Sequence, residues 1–316
     1  MRTPRPLALA LLLALPGTAG AEAGLTAAPF LRRSLGARAA GMGTAFTAVR
    51  GSADSMHYNP GALSTLTRKT FSSTYLKGFA GATHGAVTYA HPFRFITLGA
   101  GAVYYNAGPI DLNLSDGTTG RVTAEENLAG LFCLSARLFP GFHVGGTYRF
   151  VRLELAEAAR TTTSQGDFGA LWRVPVPKLG LSLGGAYQYL GPDIKFEEAE
   201  DPPPRTLRYG LALHFPEVDP KTVDPSVDLT ELDVTLAADM VQSLHERRSP
   251  RVGAEFGMTP SYINRIAMRF GWVFGRDAES FTFGMGIQQG RFGLDYAFGE
   301  AKDLSSLHHL TMAFRF

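Results

Sequence analysis

The chain has 316 residues, with 30 lysine and arginine residues against 28 acidic ones, 36 glycines and one cysteine. A charge balance this close to neutral argues against nucleic acid as a partner, because nucleic-acid-binding proteins present a basic surface. The lone Cys133 excludes an internal disulfide. Abundant Gly, Phe and Tyr with a mean hydropathy near zero are typical of a membrane β-barrel, in which only alternate residues meet lipid.

The first residues predict a secretory signal peptide spanning 1–21. Arg2 and Arg5 supply a positive start, an apolar run over 7–15 follows, and small residues precede a predicted cleavage site after Ala21 or two residues later. The run is too short to cross a bilayer as a helix. We therefore expect export, and expect any membrane insertion to use strands.

Residues 22–67 are rich in small side chains and lack a strand pattern. Such a segment can pack tightly inside a narrow, glycine-lined barrel, so we predict that it forms a plug. Within it, Asn59, Pro60 and Gly61 predict a sharp turn, because proline fixes φ. Three glycines between residues 36 and 43 superficially suggest a phosphate loop, but no Lys-Ser/Thr pair follows them and no strand precedes them.

Residues 68–316 alternate large apolar side chains with small or polar ones. This pattern predicts an all-β fold, a fourteen-stranded antiparallel transmembrane β-barrel with the N-terminal plug segment inside it. The predicted strands are 69–77, 83–91, 95–105, 127–138, 142–152, 164–173, 179–189, 205–215, 229–240, 249–257, 264–274, 280–288, 290–298 and 307–316. Each is close to the roughly nine to eleven residues that a tilted membrane strand needs.

A soluble barrel would show the same alternation with its bulky residues inside, and two features favour the membrane alternative. The smaller face is rich in glycine, which weakens a strand unless something packs closely against it. The connections also alternate in length, with tight turns at 92–94, 140–141 and 289. The predicted longer connections are 106–126, 153–163, 190–204, 241–248 and 299–306. Since short periplasmic turns and longer outer loops are the outer-membrane rule, we predict the outer membrane of a Gram-negative-type bacterium, with its lipid around the bulky face.

Residues 216–228 depart from this rule, because they follow an even-numbered strand and are long, acidic and proline-rich. A disordered insertion and a docking loop for a periplasmic partner are the two alternatives for this segment.

The last predicted strand carries an apolar row on one face. Leu310, Met312, Phe314 and Phe316 share that face at a period of two. A row that closes with a C-terminal phenylalanine resembles the insertion signal of bacterial outer-membrane proteins. The resemblance implies the barrel-assembly machinery as a partner of this strand.

Strand parity also assigns charged residues to the lumen. The predicted inward-facing charges are Arg137, Arg149, Arg173, Arg208, Arg251, Arg269, Arg315, Asp167, Asp233, Asp239, Glu255 and Asp295. Because buried charges persist only when paired or hydrated, we expect them to pair with one another and with the charges of the plug. The plug charges are Arg32, Arg33, Arg38 and Asp54. The functional alternative is that one arginine holds a substrate carboxylate.

No arrangement of residues points to catalysis. The histidines have no metal-ligand spacing, and the adjacent His308 and His309 point to opposite faces of a strand. No motif singles out a nucleophile with its base. We therefore predict no enzymatic activity, no cofactor and no metal.

The N-terminal region carries a resemblance to a known family. Residues 37–43 read Ala-Arg-Ala-Ala-Gly-Met-Gly, 45–49 read Ala-Phe-Thr-Ala-Val, and 58–60 read Tyr-Asn-Pro. These runs resemble the PorV/PorQ family, which is similar to the long-chain fatty-acid transporter FadL. The resemblance implies a fourteen-stranded outer-membrane barrel with an N-terminal plug.

Three functions are open to such a protein. In the first, the barrel is an accessory of type IX-like secretion whose outer loops 106–126 and 190–204 receive a secreted cargo protein, as the resemblance to PorV implies. In the second, it is a FadL-like passive transporter of a hydrophobic small molecule. In the third, it is a structural barrel without transport.

Overall fold

The computed structural model describes residues 26–78, 81–113, 119–176, 179–196, 199–215, 231–260, 263–275, 280–300 and 306–316. The predicted signal peptide and the acidic segment 216–228 lie outside the described residues. Among those described, no helix is both long enough and apolar enough to span a membrane.

Fourteen strands form one closed antiparallel barrel, in which sequential strands pair and the last strand closes onto the first. They are β1 (Thr70–Lys77), β2 (Thr83–Pro92), β3 (Ile96–Asn106), β6 (Glu125–Phe139), β7 (Phe142–Leu155), β8 (Ala159–Arg173), β9 (Gly180–Leu190), β12 (Thr206–Phe215), β13 (Glu231–Ser243), β14 (Ser249–Thr259), β15 (Arg265–Val273), β16 (Phe281–Gln289), β17 (Phe292–Gly299) and β18 (Leu307–Arg315). The predicted fold class is therefore confirmed.

Two short hairpins lie within the longer connections. The first pairs β4 (Pro109–Asn113) with β5 (Thr119–Thr123), and the second pairs β10 (Ile194–Phe196) with β11 (Ala199–Asp201). The predictions for 106–126 and 190–204 had treated both connections as loops. Each hairpin forms its own two-stranded sheet, separate from the barrel wall.

The predicted connection 153–163 is wrong. Strands β7 and β8 continue to pair as far as Leu155 and Ala159, so that only a tight turn joins them. In this extension Glu154 pairs with Arg152 and Arg160 at the water-exposed surface. The apolar alternation ends where the hairpin leaves the lipid, but the backbone pairing of β7 with β8 continues beyond that point. The sequence pattern marks only the end of the alternation and not the end of the pairing.

The bulky side chains of the barrel face outward. Phe132, Phe168 and Met312 leave 54%, 65% and 59% of their surface exposed, whereas their neighbours on the opposite face are buried or partly buried. A soluble barrel would place these rows inside, because contiguous exposed apolar surface promotes association in water. The direction of the rows therefore fits lipid around the wall.

The N-terminal segment, residues 26–66, lies inside the barrel and is almost entirely buried. It consists of helix α1 (Ala37–Gly41) and three 3-10 helices, Pro29–Arg32, Ala53–His57 and Pro60–Thr65, joined by turns. Helix α1 packs against β15–β18, and the third 3-10 helix packs against β6–β8.

Glycines on the inner wall allow this close approach. A Cβ added at Gly99, Gly145 or Gly253 would lie 2.5 Å from an atom of the N-terminal segment, which is well inside van der Waals contact. Close packing of the N-terminal segment thus explains why the inner face of the wall is rich in glycine, whereas a water-exposed face would have no such need.

Candidate functional site: the interface between the N-terminal segment and the lumen

The two ends of the barrel differ in their connections. The end where β1 begins and β18 finishes carries the short turns 93–95 and 140–141. We call it the periplasmic end, following the rule that outer-membrane barrels turn tightly on that side. The opposite end is called the outer end.

Glu255 of β14 lies at the centre of a charge cluster between the wall and helix α1. Its fully buried carboxylate accepts hydrogen bonds from Arg38 at 2.8 and 2.9 Å, from Arg269 at 2.6 Å and from Arg265 at 3.0 Å. Because Arg38 belongs to α1 while the other two arginines belong to β15, this one carboxylate ties the N-terminal segment to the wall.

The cluster extends to two further carboxylates. Arg269 also donates to Asp295 at 2.7 Å, and Arg265 donates to Asp233 at 2.9 Å. Sequence reasoning missed Arg265, although the alternation that turns Arg269 inward places Arg265 on the same face of β15. With Arg38, three arginines meet three carboxylates.

A second anchor lies nearer the outer end. Asp239 of β13 accepts hydrogen bonds from the backbone N–H groups of Phe46 and Thr47, both at 2.9 Å, and from the Thr47 hydroxyl at 2.6 Å. The inward-facing Arg208 and Arg251 also reach the N-terminal segment, where Arg208 lies 5.1 Å from the ring centre of Tyr58 and Arg251 contacts the Thr44 hydroxyl.

A third anchor joins β7, β8 and β9 to the first 3-10 helix. Arg149 and Asp167 form a buried ion pair at 2.7 Å, and Asp167 accepts from the backbone N–H of Tyr189 at 2.8 Å. Tyr189 has a positive φ of 59°, which is uncommon for a non-glycine residue. Its hydroxyl donates to the carbonyl of Leu31 at 2.6 Å, so this unusual backbone directs the ring onto the N-terminal segment.

The predicted turn at Asn59, Pro60 and Gly61 begins the third 3-10 helix. The buried Asn59 amide donates to the carbonyls of Thr47 at 2.8 Å and Ala170 at 2.9 Å, while its oxygen accepts from Gly61 N–H at 3.0 Å. The asparagine therefore connects two parts of the N-terminal segment to β8.

The remaining charges of the N-terminal segment have different partners. Arg32 forms an ion pair with Glu246 in the connection after β13. Arg33 meets no carboxylate among the described residues; it donates to the Tyr105 hydroxyl at 3.2 Å and lies over that ring. The predicted pairing of Arg33 with a lumen charge is thus wrong, because its guanidinium reaches the hydroxyl and ring of Tyr105 instead.

Asp54 also departs from the predicted pairing. Its carboxylate faces the Ser72 hydroxyl at 3.4 Å and forms no ion pair within the described part of the chain. Burial raises the pKa of Asp54 to about 6, with the negative charge of Asp295 acting in the same direction.

Arg137 and Arg173 lie at the periplasmic mouth, where both are exposed. Arg137 lies 5.9 Å from the ring centre of Phe95 and has no carboxylate partner among the described residues. Its prediction as a paired lumen charge is wrong, because the wall ends here and the side chain emerges into solvent.

One side of the lumen carries two clusters of buried apolar residues, one in the outer half and one in the periplasmic half, and we call the two together the apolar strip. Thr88 of β2, whose hydroxyl lies 3.2 Å from the His57 ring, separates them. The strip consists of Ala86 and Ala90 of β2, Val103 of β3, and Leu131 and Cys133 of β6. Against it pack six apolar side chains of the N-terminal segment. They are Phe30, Leu31 and Leu35 in the outer half, and Met56, Leu63 and Leu66 in the periplasmic half.

The volumes of the cavities differ between the two halves of the lumen. Two open at the periplasmic end, one of about 590 Å³ beside Phe93 and Phe95, and one of about 470 Å³ beside β15–β18. Deeper in the outer half, the cavity between Leu31 and Tyr58 measures about 20 Å³. The N-terminal segment therefore fills this part of the lumen. No group of metal-ligating side chains occurs among the described residues.

A closed fourteen-stranded barrel filled by its own N-terminal segment is the architecture of a plugged outer-membrane β-barrel. Among solved structures, the chain is similar to the Pseudomonas putida toluene transporter TodX, with a TM-score of 0.58, 11% identity, and 88% of this chain and 96% of that one covered. It is also similar to the monoaromatic hydrocarbon channel CymD, with a TM-score of 0.59, 12% identity, and 89% and 97% covered.

A Pseudomonas aeruginosa FadL homologue is a further structural neighbour, with a TM-score of 0.50, 10% identity, and 87% and 96% of the two chains covered. At these identities the likeness is one of fold. No protein-family model and no curated protein sequence matches the chain. The FadL-like part of the predicted resemblance is thus supported, and its PorV/PorQ part stays a prediction.

Proposed function

We propose that this protein is a passive transporter of small hydrophobic molecules across the outer membrane. The observation that carries the proposal is the apolar strip, whose two clusters lie on β2, β3 and β6 in the outer and periplasmic halves of the lumen. Leu66 of the periplasmic cluster also lines the cavity beside Phe93 and Phe95. A barrel that serves only as a scaffold needs no such surface, and a water-filled porin has a polar lumen.

The N-terminal segment is anchored asymmetrically. Its carboxylate-based anchors, Glu255 and Asp239, lie on β14 and β13, on the side of the barrel away from the apolar strip. Against the strip it offers Phe30, Leu31 and other apolar side chains. A hydrophobic solute can replace these contacts with its own, because apolar burial is non-directional.

The structural neighbours support this choice, since TodX and CymD are described as a toluene transporter and a monoaromatic hydrocarbon channel. The hairpin β10–β11 at the outer end also favours transport over the reception of a cargo protein. Ile194 of β10 belongs to the same buried cluster as Phe30 and Leu31, and the Ala27 N–H donates to the Pro202 carbonyl at 3.0 Å, so this connection packs onto the N-terminal segment rather than projecting outward.

Uptake of labelled toluene by intact cells tests the proposal, because the lipopolysaccharide leaflet slows spontaneous entry of hydrocarbons. Cells that export the protein are expected to take up toluene faster than cells without it, with unchanged uptake of sucrose. Equal toluene uptake in both strains would contradict transport. A secretion accessory would instead retain a bound polypeptide after purification, which we expect to be absent.

A further inference from the structure

An imidazole ring lies beside the outer half of the apolar strip. His84 is on the inward face of β2, two residues before Ala86, and is only 1% exposed. Its ring meets the ring of Tyr105 edge-on, with 6.0 Å between the ring centres. Tyr105 and Ala86 belong to the outer apolar cluster, so His84 adds a polar group to an apolar surface.

The two ring nitrogens of His84 are unpaired. Both are buried, and neither makes a hydrogen bond with a described residue. A neutral imidazole presents one N–H donor and one nitrogen acceptor. Because leaving these groups buried without a partner is unfavourable, the position of His84 favours a bound molecule that can hydrogen-bond its ring.

A second histidine lies at the same level of the wall. Leu76 of β1 pairs with His84 on one side and with His309 of β18 on the other. The Nε2 atom of His309 lies 3.4 Å from the Ser34 hydroxyl, but its Nδ1 atom is buried without a described partner. Ring nitrogens from two strands are therefore left unpaired at this level.

A solute in the proposed passage would lie next to His84. Phe30 of the N-terminal segment stacks on Tyr105, with 5.9 Å between the ring centres. Tyr105 thus contacts Phe30 and His84 at once. An aromatic solute that takes the place of Phe30 against Tyr105 would bring its ring substituents towards the nitrogens of His84.

The surroundings also indicate the class of substituent. A hydroxyl both donates and accepts, so it can pair with His84 in either tautomer, whereas a methyl group can do neither. A carboxylate would lose its hydration in this buried position. Arg33, which lies over the Tyr105 ring, is partly exposed and already donates to the Tyr105 hydroxyl at 3.2 Å. An uncharged hydroxyl therefore fits the site better than a carboxylate.

We infer that His84 hydrogen-bonds a hydroxyl group of the transported molecule, so that phenols are among the substrates. The assignment rests on the transport proposed above, and it adds His84 to that transport as a specificity-determining residue.

Uptake of labelled p-cresol and toluene by porin-deficient cells tests the inference, because the two solutes differ by one hydroxyl. Initial rates are measured over a range of concentrations. We expect His84→Leu to raise the half-saturating concentration of p-cresol by about three- to tenfold, the loss expected for one hydrogen bond. The value for toluene is expected to stay unchanged. His84→Gln keeps a donor and an acceptor, so it is expected to retain part of the affinity for p-cresol.

His308→Leu is the matched control. His308 lies on β18 next to His309 but on the opposite face, where it is exposed and its ring lies 2.7 Å from the Tyr296 hydroxyl. This variant is expected to take up both solutes like the wild type. Folding of every variant is checked by heat-modifiable migration in gels, which depends on an intact barrel.

The outcomes separate this inference from the transport on which it rests. Saturable toluene uptake with a wild-type half-saturating concentration of p-cresol in folded His84→Leu would overturn the inference alone. An equal shift for both solutes would also overturn it, and so would an equal loss of affinity for p-toluate, because the ring would then not select a hydroxyl. Absence of uptake of both solutes by cells producing the wild type would contradict transport as well.

Discussion

At the scale of single residues, Gly271 of β15 meets Gly43 of the N-terminal segment backbone to backbone, where Gly43 N–H also donates to the Thr282 hydroxyl at 2.9 Å. A Cβ at position 271 would overlap the Gly43 nitrogen. Gly271→Val is therefore expected to displace residues 42–44 and destabilise the protein by about 1–3 kcal/mol, as overpacking does. The free energy of unfolding in detergent and denaturant measures the effect.

Gly130→Val is the matched control for this prediction, because a Cβ at Gly130 meets nothing within 4 Å. It is expected to leave the unfolding free energy unchanged. Equal destabilisation by the two substitutions would show that the contact with Gly43 is not what matters.

Glu255 gives a second prediction at this scale. Glu255→Gln removes the one carboxylate that faces Arg38, Arg265 and Arg269 together, and leaves buried cations in excess. We expect a loss of about 3–5 kcal/mol in the unfolding free energy, typical of breaking a buried ion pair from one side. Limited proteolysis is expected to cleave the N-terminal segment faster than in the wild type.

Glu154→Gln at the outer end is the control for this substitution. Glu154 also meets two arginines, Arg152 and Arg160, but both are more than half exposed. Exposed pairs contribute little because solvent screens them, so the unfolding free energy is expected to stay close to that of the wild type. A large effect at Glu154 with none at Glu255 would contradict the proposed anchor.

The face on which a charged residue lies could be predicted from the sequence, but its partner could not. Parity follows from the period of two along a strand, and it places Glu255, Arg269 and Asp295 inward. Their pairing with Arg38 depends on where α1 sits across the lumen, which no local pattern encodes. Arg137 shows a second limit of this prediction. Parity gives the face of the strand on which Arg137 lies, but it does not reveal that the wall ends at this residue.

At the scale of elements, the 3-10 helix Ala53–His57 carries a buried carboxyl group, Asp54, whose ionisation makes the stability of the folded state depend on pH. Burial raises the pKa of Asp54 to about 6 from 3.8, with Asp295 opposing and Arg38 favouring its ionisation. Neutral Asp54 therefore stabilises the folded state fully below pH 3.8, and this stabilisation is lost as the pH rises through about 6. His57 in the same helix stays neutral over this range, because burial lowers its pKa to about 3.

Asp54→Asn tests this assignment. The uncharged amide is expected to raise the unfolding free energy at pH 7.5 by about 3 kcal/mol and to flatten its rise between pH 7 and pH 4.5. The exposed Asp193→Asn serves as the reference. An unchanged pH profile in Asp54→Asn would show that another group titrates.

Elements inside the bilayer were more predictable than those outside it. The fourteen wall strands follow from lipid on one face and the filled lumen on the other, which enforce alternation. The hairpins β4–β5 and β10–β11 lie in water or on the N-terminal segment, so no such alternation marks them. Ile194 shows why, because it is buried in a cluster that includes Phe30 and Leu31, more than 150 residues earlier in the chain.

At the scale of the whole molecule, the lumen has two unlike sides. Charged anchors on β13–β17 hold the N-terminal segment, and the apolar strip on β2, β3 and β6 faces its hydrophobic side chains. In the transport proposed above, a hydrophobic solute would move along the strip without release of the whole N-terminal segment. The apolar side chains of the segment that pack against the outer half of the strip would then be the barrier to transport.

The initial rate of toluene uptake by intact cells producing Phe30→Ala, Leu31→Ala tests this account most directly. Phe30 and Leu31 are buried against the strip, whereas the control Phe292→Ala changes a lipid-facing ring that is 68% exposed. We predict a severalfold faster toluene uptake in the double variant, with sucrose uptake unchanged and the control at the wild-type rate. A wild-type rate in a folded double variant, or an equal gain for sucrose, would contradict a hydrophobic passage along the strip.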